Sequence, residues 1–157
     1  MNKLLLSCCL LLASAHMAFG QKDLPGQYNG YVKYESTPGL GLITVTCSGF
    51  GKKKQQSLKD AAAGAFYNLL FRGIPGSQQE LPMIPDENEA KNNRHVRDIL
   101  DGGYSAFVIE NNLLGEEPRK KKKDGAKGVL TTHTMTISCE ALRHYLEQNN
   151  VIRKFGY

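Results

Sequence analysis

Four kinds of side chain in this sequence have the chemistry to build a site: cysteines, histidines, paired carboxylates and an unbroken basic run. Cys47 and Cys139 stand far apart and no Cys-x-x-Cys spacing occurs, so neither reads as a catalytic redox pair. His95, His133 and His144 fall in three different segments, with no His-x-x-x-His spacing to hold a metal. His133 stands among apolar residues, where a hydrogen-bonded structural histidine is the expected role. Glu116/Glu117 and Asp98/Asp101 are carboxylate pairs, but chain position alone puts neither pair across a cleft. A Gly-x-Ser-x-Gly elbow, a phosphate-binding loop and a zinc-protease motif are all missing. Gly39-x-Gly41 and Gly49-x-Gly51 lack the full dinucleotide-binding spacing. The expectation is a chain that is not an enzyme and uses no cofactor or metal.

The basic run is Arg119, Lys120, Lys121, Lys122 and Lys123. Five adjacent cations repel one another and need solvent or an anionic partner. The functional reading is attraction to anionic lipid headgroups, an acidic glycan or an acidic protein; near an anionic membrane each base contributes about 1 kcal/mol. The plainer reading, and the favoured one, is a solvated hairpin tip moderated by Glu116, Glu117 and Asp124. Lys52, Lys53 and Lys54 form a second, weaker candidate for anion or partner binding. Nucleic acid is a remote option, because no stacking aromatics interleave with either run. Tyr28, Tyr31, Tyr34 and Tyr157 offer an interaction surface, although edge packing explains them as well.

The first 20 residues read as an address. A short basic start at Met1–Lys3 precedes the apolar stretch Leu4–Leu12, and Ala18-Phe19-Gly20 supplies a small-x-small site before Gln21. The stretch is well short of the ~20 residues needed to span a bilayer. Lipidation at Cys8 is the rival reading, but it leaves almost no apolar segment ahead of the cysteine. Cleavage before Gln21 implies an exported bacterial protein, periplasmic or secreted, and removes Cys8 and Cys9. Cys47 and Cys139 then form a disulfide candidate, since export favours oxidation. Closing so long a loop would contribute about 4–5 kcal/mol in the chain-entropy model. Two separate buried thiols are the alternative.

The remaining residues must fold into elements that hold these groups. The chain has 157 residues, with 41% apolar, 22% charged and a formal net charge of +5. That balance excludes a disordered or multi-span membrane chain and fits one domain. Residues 21–41 read as an N-terminal extension or edge strand, and 42–157 as a single domain. Ile43, Val45 and Cys47 alternate with Thr44, Thr46 and Ser48, which predicts a strand with one apolar face. Leu58, Ala61, Ala62, Ala65, Phe66, Leu69 and Leu70 recur at helical spacing, and Arg72-Gly73-Ile74-Pro75 stops the helix. A surface loop follows over 74–91, and Asp86 with Glu89 suggests a capping box. Val96, Ile99 and Leu100 give a short helix. Residues 104–110 read as a strand, and 111–128 as a polar connection. From Val129 to Cys139 the alternation returns. Ser138 caps a last helix carrying Leu142, Tyr145 and Leu146, and Val151-Ile152 suggests a final short strand.

The order β-α-(α)-β-β-α-(β) predicts an α+β two-layer sandwich. In it, a small, mostly antiparallel sheet of about 3–5 strands packs against two main helices. The block Ile43–Gly76, with its Ser48–Lys54 turn and the helix Ser57–Phe71, resembles uncharacterised exported proteins of Bacteroidetes-type bacteria. The segments Asp101–Phe107 and Leu142–Tyr157 fit the same group. More distantly, the plan is similar to small envelope lipoproteins and to the N-terminal module of TolB. The resemblance implies a non-enzymatic accessory or assembly module that binds another envelope protein. It transfers no functional residue. Binding of anionic lipid or glycan through residues 119–123 is the alternative, and an unrecognised enzyme the third. The third predicts a deep pocket of convergent polar groups, for instance around His133. The assembly reading predicts an exposed apolar patch or an open sheet edge.

Overall fold

The structure, a computed structural model, describes residues 30–120 and 127–154. The expected signal segment 1–20, with Cys8 and the cleavage site before Gln21, lies outside the described residues, as does Tyr28. Within them the chain is α+β. Four strands, β1 (Val32–Gly39), β2 (Leu42–Gly51), β3 (Val108–Lys120) and β4 (Lys127–Ser138), form one antiparallel sheet in the order β1-β2-β4-β3. The helices are α1 (Lys54–Phe71), the short α2 (Glu87–Ala90), α3 (Arg94–Leu100) and α4 (Cys139–Gln148).

β2 and β4 are the central pair, and both follow the alternation of their sequences. Ile43, Val45 and Cys47 on β2, and Thr131, His133, Met135 and Ile137 on β4, are buried beneath α1. Their neighbours Thr44, Thr46, Thr132, Thr134 and Thr136 are half-buried on the other face. Across that face Thr44 and Thr136 share a hydroxyl hydrogen bond of 3.0 Å. β1 is an edge strand continuous with β2 through a tight turn, so residues 32–39 belong to the sheet.

α1 is buried on more than one side. Ala61 to Tyr67 are all buried, because the sheet covers one flank while α3 and the loop after α1 cover another. That loop is fastened by Met83 N–H donating to Leu69 O (3.1 Å) and Ile84 N–H to Leu70 O (2.8 Å). The helix ends as its sequence predicts. Gly73 takes a φ of +76° and closes back on Asn68 O at 2.7 Å. Asp86 caps α2 through Asn88 N–H at 2.8 Å, and Ser138 caps α4 through Ala141 N–H at 3.2 Å. Phe66, Tyr104, Phe107 and Tyr145 form a ring chain linking α1 to α4, with centroids 5.4 to 6.3 Å apart.

Two expectations change. Gly103–Phe107 forms a 3-10 turn, and strand pairing starts at Val108 and runs through to Lys120, so most of the expected polar connection is strand. Both faces of β3 beyond Val108 are exposed, which removes the alternation that marks a half-buried strand. Val151-Ile152 does not form a strand. Val151 N–H instead returns to Leu146 O at 2.9 Å, behind Asn150 with its φ of 54°.

The junction between α1 and the sheet is tight. A Cβ at Gly49 would overlap Ala61 N and Ser57 O, and one at Gly51 would meet Ser57 N. Buried Ser57 uses this closeness fully. Its hydroxyl donates to Gly49 O at 2.6 Å, accepts from Thr131 N–H at 2.9 Å, and meets Thr131 Oγ1 at 2.7 Å. Removing it leaves a buried carbonyl, amide and hydroxyl unsatisfied. Ser57→Ala is expected to lower the unfolding free energy by about 2–4 kcal/mol. Gly49→Ala should cost more, because helix and strand backbones must part; urea unfolding of both variants checks this.

Candidate functional site

The disulfide expectation is corrected by the register. Parity puts Cys47 and Cys139 on the same face, but β2 and β4 run antiparallel with Ile43 opposite Ile137, so Cys47 lies opposite His133. Cys139 is six residues further along, about 20 Å at strand rise. Both cysteines are buried and free. Burial pushes the Cys47 thiol up to about 12 and the Cys139 thiol up to about 11, the latter restrained by nearby Arg143. Neither presents a thiolate to solvent.

The histidines stay apart. His95 Nδ1 meets Tyr145 Oη at 3.1 Å, and His144 Nε2 meets Gln148 at 2.9 Å on the surface of α4. His133 is 2% exposed. Its Nδ1 bonds Asn111 Oδ1 at 3.1 Å, so Nδ1 carries the proton, and its buried Nε2 has no partner. Burial, helped by the charge of Lys54, holds its pKa below the ordinary value. It is a core residue of the sandwich, and the groove described below is lined by other residues. Among the described residues no group of three or more His, Cys, Asp or Glu is placed to hold a metal ion. Asp98 and Asp101 are both exposed, on and just after α3.

The two basic runs converge. β2 ends at Gly51, which shares a cross-sheet row with Val129 and Pro118. Strands are about 4.8 Å apart, so Lys52 and Arg119 leave that row about 10 Å from each other. Lys54 opens α1 and reaches Glu116 Oε2 at 2.8 Å, which fixes the start of the helix beside β3. Lys120 pairs with Lys127 across the arms of the hairpin. Lys52, Lys53, Lys54, Arg119, Lys120 and Lys127 therefore share one end of the molecule. Lys121, Lys122 and Lys123, from the same candidate set, lie outside the described residues. Glu117 sits 3.7 Å from Arg119. Among the described residues no ion pair engages Lys52, Lys53, Lys120 or Lys127.

β3 is the sheet's other edge, and Ile109, Leu113 and Leu114 are exposed on it. Tyr31 is exposed beside β1, and Tyr34 is half-buried with its hydroxyl 2.9 Å from Thr37. Tyr157 lies outside the described residues. A groove of about 980 Å³ opens at the end opposite the basic residues, between the loop 77–86, Arg143 of α4 and residues 151–153. Sequence reasoning missed it, because no periodic pattern marks two irregular segments that meet only in the fold. Ser77 is the hydroxyl in its wall, and it donates to Ile74 O and accepts from Gln79 N–H. No helix among the described residues is long and apolar enough to cross a membrane. Against known protein families, curated proteins and solved structures, nothing matches this chain.

Two outcomes follow. Cys47 and Cys139 are expected to resist alkylation in the folded protein and to react fully in denaturant without reductant, which peptide mass spectrometry resolves. For His133, the unfolded chain takes up the proton more readily than the folded one, so stability is full above the ordinary value near 6.5 and declines as pH falls below it. His133→Gln should flatten that part of the profile in urea titrations run between about pH 5 and 8.

Proposed function

We propose that this chain is an exported, non-catalytic accessory protein of the bacterial envelope, and that its basic end docks on an anionic envelope surface. The observation that carries the reading is the meeting of two sequence-distant basic runs at one end of the sheet. A single lysine-rich tip is an ordinary solvated feature. Six bases from β2–α1 and from the β3–β4 hairpin, offset in part by Glu116 beside Lys54 and Glu117 beside Arg119, leave a net positive field at that end. The partner chemistry is anionic lipid headgroups, with acidic glycan as the nearest competitor.

The reading of a protein partner draws on a separate observation, the exposed Ile109, Leu113 and Leu114 on an open strand edge. An extended segment of another envelope protein would add to that edge through main-chain bonds. Pro118 and the charges Glu116, Glu117, Arg119 and Lys120 confine such pairing to the Val108–Leu114 half.

The protein is expected to co-sediment with vesicles containing phosphatidylglycerol but not with vesicles of phosphatidylcholine alone, and to release as salt rises from about 0.05 M to about 0.5 M. The variant K52Q/K53Q/R119Q/K120Q should bind at least about tenfold more weakly with an unchanged melting curve. Undiminished binding by that variant overturns the reading. Retention by acidic glycan but not by vesicles reassigns the partner. Loss of a crosslinked envelope protein on changing Leu113 and Leu114 to Ser supports the edge instead.

A further inference from the structure

The first half of β3 has a pattern that reads alike in both directions. Val108-Ile109-Glu110-Asn111-Asn112-Leu113-Leu114 runs from two apolar residues through three polar ones to two apolar residues, with Asn111 at the centre. From Glu110 to Leu113 the pairing with β4 is regular, and the bulges fall on either side, at Ile109 and Leu114. Ile109 is 64% exposed, Leu113 43% and Leu114 60%. Apolar side chains on an open edge invite another strand, which is why edges usually carry blocks of charge or proline. The other edge of the sheet has those guards: β1 carries the Lys33–Glu35 pair and Pro38, and its register breaks twice. On β3 the guards begin only at Glu116.

We propose that β3 pairs with β3 of a second copy of this chain, antiparallel about a twofold axis through Asn111, so that two four-stranded sheets continue as one. In such an isologous interface each residue meets its mirror position: Ile109 meets Leu113 of the other copy, Val108 meets Leu114, and Glu110 meets Asn112. That symmetry requires a pattern that reads alike in both directions; pairing with an unrelated extended segment does not. Charge selects the antiparallel orientation. Glu110 faces an amide rather than a second carboxylate, and Asn112 Nδ2 already donates to Glu110 Oε1 at 2.8 Å within the strand. A parallel, in-register pair would set Glu110, Glu116 and Glu117 against themselves and Arg119 against Arg119. In the antiparallel pair the two hairpin tips point away from each other, which separates the basic ends. A second copy then occupies the edge in place of a heterologous segment, and no basic residue takes part. The contact is short, so association is weak, with a dissociation constant on the order of 0.1 mM.

The test is analytical ultracentrifugation of the purified protein between about 0.01 and about 1 mM, where a monomer–dimer equilibrium is expected. Leu113→Lys should weaken the dimer at least about tenfold. Asn112, which pairs with Thr134 on the face away from α1, separates dimerisation from folding. Asn112→Glu should weaken the dimer about fivefold and Asn112→Lys should tighten it about fivefold, both with the parent's melting curve, because each changes the charge set opposite Glu110 of the other copy. Asn111→Cys, on the axis, should close a disulfide between copies under mild oxidation, and Glu117→Cys should not. The K52Q/K53Q/R119Q/K120Q variant should dimerise as the parent does, and salt at about 0.5 M should leave the dimer intact, so dimerisation and vesicle binding are read separately. A chain that stays monomeric up to about 1 mM, a dimer that survives both Leu113→Lys and Asn112→Glu, or an Asn111→Cys variant that crosslinks no faster than Glu117→Cys each overturns the proposal.

Discussion

The arrangement depends on how closely α1 lies against β2. Only Lys52 and Lys53 separate the strand from the helix, so the chain reverses within two residues and the helix must return directly over the strand that it has just left. A side chain at Gly49 or Gly51 would hold the helix away. With glycine there, Ser57 reaches across to both central strands and satisfies a carbonyl on one and an amide on the other. The apolar contacts of Ala61, Ala62 and Ala65 follow from that spacing, because small side chains fill a thin gap and large ones do not. The hydroxyl adds direction to a packing contact that has none of its own.

The same reversal arranges the surface. Because α1 starts where β2 stops, its lysines lie at the end of the sheet from which the β3–β4 hairpin projects. β3 lies outside the helical layer, and the Lys54–Glu116 pair is its ion-pair link to α1. An exposed pair of this kind contributes about 0–1 kcal/mol, so backbone pairing with β4 holds β3 in place. A strand so placed has two wet faces and one open edge. Its bulges after Val108 and Leu113, its proline and its alternating blocks of charge are the features that keep such an edge from unrestricted pairing.

Much of the fold was legible where burial is one-sided. Thr44–Ser48 and Thr131–Ser138 alternate because one face meets α1, and the Gly73 and Ser138 stops act through backbone geometry that is local to the sequence. The reading fails where the cause is not local. Residues 111–120 carry no alternation because neither face is covered, yet they pair. Parity put Cys47 and Cys139 on one face correctly, but register decides position along the strand, and register is set by the pairing of Leu42 with Ser138. The convergence of Lys52–Lys54 with Arg119–Lys120 is a consequence of that same register and so was invisible as well. The groove needed both the α1 anchor of residues 83–84 and the turn of Val151 back onto Leu146.

The molecule's chemistry is segregated in space. Buried Ser57 and Thr131 serve the junction between helix and sheet, buried Ser77 and Gln79 hold the loop after α1, and buried His133 bonds Asn111 on β3. Apart from the open edge of β3, the basic residues and the groove lie toward opposite ends of α1, which at 18 residues is about 27 Å long. That length exceeds two Debye lengths at physiological salt, so the field of the basic end does not reach the groove. The lysine end and the groove keep that separation because the body between them is held by the Gly49–Ser57–Thr131 junction, where a hydroxyl and two close backbones leave the helix no room to shift on the sheet.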